Sequence, residues 1–265
     1  MPLLSVSNGV VGLKPVIHIV FESLFNVDIR EFCIVVGRGK RVLEDYFTLD
    51  TDFVELLESR GLSDRVEELK RFYSMVSQSR IFFVNQPTPR GFGDAVLRAE
   101  PFVGDKPFVL HAGDDVVVNG DYDHLKRLFR VFEEHDAVLL LEEVDDPRTY
   151  GVVAGKAIGD SGSVLKIVDI VERPEKPPSN LAVVAVYMFK PSIFSYIRRV
   201  EPDSRGEIQL TTAIKFMIDY GHDVYGVKLR SDEKRLDVGI PQSYWRALYE
   251  SYQWASSNLH SRSQG

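Results

Sequence analysis

Four short apolar runs, Phe32 to Val36, Ile81 to Asn85, Phe108 to Ala112 and Ala137 to Leu141, are separated by stretches with helical periodicity. That alternation is the pattern of parallel strands joined by crossover helices, which constrains the chain to a layered α/β architecture. With 265 residues, 44% of them hydrophobic, there is enough material for one large core. A single domain over residues 1–259 is expected, with a flexible tail at 260–265.

Pro15 suits the first turn of a helix reaching Asn26, with Val16, Val20 and Leu24 on one face. Met1 to Lys14 reads as too short and irregular for a strand and loop, so the chain is expected to open on this helix. Doubly wound domains usually open on a strand instead. Asp50 to Ser77, broken at Gly61, reads as a surface helical insertion. Beyond Tyr150 the β-branched segments Gly151 to Ala154, Val164 to Val171 and Leu181 to Phe189 read as strands. Helices are expected at Pro191 to Arg199, Ile208 to Tyr220 and Pro241 to about Leu259.

A formal charge of -7 without any extended Lys/Arg block argues against nucleic acid or an anionic membrane as partner. The single cysteine, Cys33, sits in an apolar run, excludes an intrachain disulfide and reads as a buried strand residue in a reducing compartment. The longest apolar stretch, Leu181 to Phe189, is far short of a bilayer span, and no basic segment opens the chain. A soluble, cytoplasmic protein is the expectation, with homo-oligomerisation left open.

Gly113-Asp114-Asp115 directly follows a strand, and an aspartate there points into the crevice where such sheets bind ligands. Carboxylates at that place suit Mg²⁺; the competing explanation is an Asp-rich turn or helix cap. Asp237, before Val238-Gly239, closes another apolar segment and is open to the same two explanations. In Gln86 to Val96, Gly91 and Gly93 let the backbone approach a flat ligand, and the Gln86 amide can read a base edge. A ligand-free Pro/Gly loop explains those glycines equally well. Gly37 to Arg41 fits neither a Walker nor a full dinucleotide pattern and reads as a turn before a basic helix start. Glu172 and Arg173 lie at a strand end closed by Pro174, where alternation sends them to opposite faces. Glu207 stands near the start of a helix and fits its dipole, and the histidines show no metal-ligand spacing.

Taken in order, Lys14-Pro15, Gly37 to Arg41 with Glu44 to Phe47, Gln86 to Val96, Gly113 to Asp115, Tyr150 to Val153, Val171 to Pro174, Ser179 to Val183, Gly206 to Thr211 and Leu236 to Gly239 resemble the UTP-glucose-1-phosphate uridylyltransferases. The resemblance runs from about Lys14 to Gly239. It implies a Rossmann-like nucleotidyltransferase fold, a mixed sheet with helices on both faces, and transfer of a uridylyl group from UTP to glucose 1-phosphate. It further implies that Gln86 and Gly91 contact uracil and that Asp114 and Asp237 hold Mg²⁺. Gly151 and Glu172 would contact glucose, and the basic residue at 173 phosphate. By the same resemblance Gly93, Asp115, Tyr150 and Glu207 are expected at the substrate.

Three departures stand out. Arg173 replaces the family's lysine, and a planar guanidinium is not equivalent to a compact ammonium. Ala185 replaces a glycine and narrows the expected sugar pocket by a methyl group. The family opens with a strand ending in a Gly-x-Gly-Thr-Arg loop, whereas Met1 to Leu4 aligns with the segment after it. The amino-terminal strand and loop are therefore expected to be missing and transfer to be impaired. Two other functions are compatible with the same motifs: a glucose-1-phosphate thymidylyltransferase, and a non-catalytic sugar-nucleotide-binding or regulatory relative.

Overall fold

The computed structural model describes residues 1–7, 10–118, 122–159 and 162–262. The chain opens not on a helix but on two antiparallel strands, β1 (Pro2–Ser7) and β2 (Val10–Pro15). The expectation that Met1 to Lys14 is irregular is corrected by packing. Leu3 is fully buried, and the Leu4 N–H donates to Ser251 Oγ at 3.2 Å, so the carboxyl-terminal helix supplies the surface that orders this segment.

Helix α1 (Val16–Phe25) follows, with Val16, Val20, Phe21 and Leu24 buried. It leads to β3 (Glu31–Val36), α2 (Arg41–Tyr46), α3 (Thr51–Ser59), α4 (Ser63–Ser77) and β4 (Arg80–Asn85). The surface-insertion reading of Asp50 to Ser77 holds for α3, which buries nothing, but fails for α4. Val66, Phe72, Met75 and Val76 of α4 are buried, the last three in the same apolar cluster as α1 with Phe72 against His18 and Phe21, because their spacing makes one continuous apolar face.

Next come α5 (Phe92–Arg98), α6 (Glu100–Val103), β5 (Phe108–His111), β6 (Asp115–Val118), α7 (Asp123–Phe132) and β7 (Ala137–Glu143). After a 3₁₀ turn at Pro147–Thr149 the β-rich part comprises β8 (Gly151–Ile158), β9 (Val164–Glu172) and β10 (Leu181–Phe189). The chain ends with α8 (Ser192–Ile197), α9 (Leu210–Asp219), β11 (Val224–Lys228), β12 (Lys234–Asp237) and α10 (Pro241–Arg262). Half of the expected tail, residues 260–262, lies in α10, and residues 263–265 lie outside the described residues.

The main sheet has six strands in the order β5-β10-β7-β11-β9-β8 and is mixed: β11 runs parallel to β7, whereas β10 is antiparallel to both β5 and β7. The parallel pair β3–β4 and the antiparallel pair β6–β12 form separate ladders among the described residues. Strand β7 shows how the layers are built. Ala137, Leu139 and Leu141 enter one apolar cluster with α8 and α9, while Val138 and Leu140 enter a second with α1 and α7. Period-two alternation of a wholly apolar strand thus covers both sheet faces with helices.

Candidate active site

The β6–β12 ladder brings the two acidic positions together. Asp237 pairs with Asp115 across it, and the Val238 N–H donates to the Asp114 carbonyl at 2.9 Å. Asp114 lies in the turn after β5, and Asp237 is the last residue of β12. A β-carbon placed on Gly239 would lie 3.1 Å from Asp237 Oδ1, which accepts the Gly239 N–H, and 3.3 Å from Asp114 Oδ2, so the two carboxylates converge beside Gly239. Burial first, and then the charges of Asp115 and Asp237, push the Asp114 carboxyl above the ordinary range. Paired oxygen donors with excess negative charge fit a hard cation such as magnesium. Among the described residues no group of three or more His, Cys, Asp or Glu gathers at one point. Two carboxylates alone would leave the remaining positions of such an ion to water or phosphate oxygens.

Asp115 is placed differently from its expected role at the substrate. It is 2% exposed, and Arg235 Nε donates to its two oxygens at 2.9 and 2.8 Å, with Nη2 at 2.7 Å from Oδ2. A carboxylate so buried and so held by a guanidinium is turned toward Arg235 and fixes that side chain. The same guanidinium lies 4.9 Å from the Tyr150 ring centroid, within cation–π range. Tyr150 and Asp237 border a cleft of about 420 Å³ that also takes in Glu142, Arg246 and Glu250. Sequence reasoning missed Arg235; its signal was the two-residue offset from Asp237, which puts both on one face of a strand.

Next to Tyr150, Gly151 pairs with Glu172 in the β8–β9 ladder. A β-carbon at Gly151 would stand 2.8 Å from Thr211 Cγ2 and 3.3 Å from Glu172 Oε2. Thr211, at the start of α9, donates its hydroxyl to Glu172 Oε2 at 3.0 Å and fixes that carboxylate. Arg173 does not take the face opposite Glu172. It leaves the extended conformation for φ 42°, donates its N–H to the Tyr150 carbonyl at 2.9 Å, and brings its Nε to 3.6 Å from Glu172 Oε1. A left-handed residue at the strand end overrides the alternation from which the opposite arrangement was expected. Ala185 sits at the β10 irregularity between Val184 and Tyr187, with its N–H 3.4 Å from Asp115 Oδ2.

The loop after β4 packs against the segment before α9. Gly91 has φ 91°, and a β-carbon there would lie 3.0 Å from Glu207 Cβ and from the Ile208 backbone. At Gly93 it would lie 2.7 Å from the Ile208 carbonyl, which already accepts the Gly93 N–H at 2.9 Å. The Ile208 N–H in turn donates to the Arg90 carbonyl at 2.8 Å, so residues 90–93 and 207–208 are locked backbone to backbone. Glu207 precedes α9, outside its first turn, and is tied to Gln209 at 2.9 Å and Arg205 at 3.1 Å. The helix-dipole role expected of it is thereby corrected. Gln86 directs its NH₂ to Asp94 Oδ2 at 2.8 Å and to the Gly91 carbonyl at 3.3 Å.

A family model described as nucleotidyl transferase matches residues 9–253. The UTP–glucose-1-phosphate uridylyltransferase 2 of Staphylococcus saprophyticus is 32% identical over 252 residues, covering 93% of this chain and 84% of that protein. Among solved structures, an apo UDP-glucose pyrophosphorylase superposes with a TM-score of 0.82 at 28% identity, covering 91% of this chain and 87% of the other. A UTP-bound UGPase from Acinetobacter baumannii gives 0.77 at 26% identity, covering 89% and 82%.

Proposed function

The chain belongs to the nucleotidyl transferase family, and from that premise we propose that it joins UTP and glucose 1-phosphate to give UDP-glucose and pyrophosphate. A phosphate oxygen of glucose 1-phosphate forms a bond to the α-phosphorus of UTP. The bond from that phosphorus to the bridging oxygen breaks, and pyrophosphate leaves with the electron pair. Such an in-line displacement is catalysed chiefly by positioning and by neutralising charge.

The convergence of Asp114 and Asp237 beside Gly239 is the observation that carries this reading. In it the two carboxylates hold magnesium, which when bound neutralises charge on the phosphate oxygens. Gln86 and the backbone at Gly91 and Gly93 receive the uracil. Glu172, steadied by Thr211, accepts hydrogen bonds from the sugar hydroxyls beside Gly151, and Arg173 meets phosphate. Tyr150 and Glu207 border the substrates, and Asp115 holds Arg235 beneath them.

The test is pyrophosphate release by the purified protein supplied with UTP, glucose 1-phosphate and magnesium. Asp237→Asn is expected to lower the rate at least about a hundredfold, the scale of losing an electrostatic contribution to the transition state. Absence of pyrophosphate, or a variant as fast as the parent, would overturn the reading.

A further inference from the structure

Asp94 lies in the first turn of α5 and has no exposed surface. One of its oxygens, Oδ1, accepts from Arg90 at 2.8 Å and from Arg98 at 3.2 Å. The other, Oδ2, accepts the Gln86 NH₂ at 2.8 Å. Burial opposes its charge, but hydrogen bonds from Gln86, Arg90 and Arg98 keep its carboxyl below the ordinary range. A carboxylate offers only lone pairs, so the end of the Gln86 amide that faces it has to be the NH₂. The Gly91 carbonyl, at 3.3 Å from the same nitrogen, imposes the same choice.

We infer that Asp94 is a positioning residue that fixes the Gln86 amide with its carbonyl oxygen toward the nucleobase, selecting pyrimidines that carry a hydrogen on ring N3. This rests on the reading of the site as a nucleotide site. Uracil and thymine donate from N3 and match an acceptor; cytosine presents a lone pair there and is opposed by one. The Asp94 group therefore excludes cytosine while leaving uracil and thymine to be separated elsewhere. A site built around one hydrogen-bond polarity rejects the opposite polarity strongly, because both polar groups are left unpaired.

The arginines make a specific consequence testable. In Asp94→Asn they retain the oxygen, and the new NH₂ then occupies the place of Oδ2 and faces Gln86. The Gln86 amide then meets a donor at position 94 against only the longer contact to the Gly91 carbonyl at 3.3 Å, so it loses its single fixed orientation and presents its own NH₂ to the base in part, which favours cytosine. Calorimetric titration of UMP and CMP into the protein, Asp94→Asn, Gln86→Leu and the double variant reads this out. The parent is expected to prefer UMP at least about tenfold, and Asp94→Asn to shrink that ratio at least about tenfold. In the Gln86→Leu background Asp94→Asn is expected to change nothing further, since no amide remains to be oriented. A folded Asp94→Asn with the parent's UMP:CMP ratio overturns the inference, as does an equal effect in both backgrounds. UMP preference without pyrophosphate release would sink the proposed reaction and leave the role of Asp94 standing. Release from UTP with an unchanged ratio would sink only the role. A measurement on the unmodified protein is independent of any variant's folding: the Gln86 side-chain NH₂, assigned by NMR, is expected to resist solvent exchange before and after UMP is added. Fast exchange overturns the inference.

Discussion

At the scale of single residues the site holds opposed requirements. The Asp114 carboxyl is raised by burial and by its acidic neighbours, so in the absence of a cation its ionised form works against folding. A folded-state value above the unfolded one means that the penalty appears as pH rises and Asp114 ionises. Asp114→Asn is therefore expected to melt roughly 1–3 °C higher than the metal-free parent at neutral pH while losing transfer, checked by paired melting and pyrophosphate assays. Two glycines give contrasting expectations. At Gly93 a methyl group meets the Ile208 carbonyl at 2.7 Å, backbone against backbone, so Gly93→Ala is expected to cost about 1–3 kcal/mol of stability in denaturant titrations. At Gly151 the nearest atom is a Thr211 methyl at 2.8 Å, and turning that side chain away also moves the hydroxyl that holds Glu172. Gly151→Ala is expected to raise the KM for glucose 1-phosphate more than that for UTP.

At the scale of elements, α1 and α4 meet around a charged cluster. Glu22 accepts from Lys14 at 3.0 Å and from Arg71 at 3.2 Å, and His18 stacks on Phe72 at 4.4 Å with its Nδ1 2.7 Å from the Tyr46 hydroxyl. Burial first, and then Lys14, lowers the His18 pKa to about 4. A histidine depressed below its unfolded value contributes fully above pH 6.5 and loses that contribution as pH falls toward 4. Denaturant titrations at pH 7 and pH 5 are expected to differ by about 2 kcal/mol from this group alone, and His18→Gln to flatten the difference. Much of this layer was legible in the chain. The apolar runs at β3, β4, β5 and β7 announced themselves by composition, and Val16, Val20 and Leu24 by spacing. The β1–β2 hairpin was not legible, because Leu3 gains its partner from α10, near the other end of the sequence. Nor was the buried face of α4, hidden among charges. In the site, Asp114 and Asp237 carried local signals, but the partnership of Arg235 with Asp115 spans 120 residues, and the offset of Arg235 from Asp237 gave its strand face without naming that partner. The turn at Arg173 was invisible for another reason: left-handed backbone is read from sequence mainly at glycine, asparagine or aspartate.

At the scale of the whole molecule, β7 is shared by both apolar clusters, so damage to either face should be felt by both. Leu140→Ala is expected to cost about 2–5 kcal/mol and to shift one unfolding transition seen identically by fluorescence and circular dichroism. Binding should act on the molecule in the same way. UTP with magnesium is expected to raise the melting temperature further than UTP alone, and a chelator to abolish the increment and the transfer together. The lock between residues 90–93 and Ile208 gives the assembly a fixed internal gauge. From Ile208 the chain needs only three more residues to reach Thr211 and, through it, Glu172. On the proposed reading one short peptide thus sets the span between nucleobase and hexose, so lengthening it by a single residue is expected to leave each half of the product recognised while putting the two out of step.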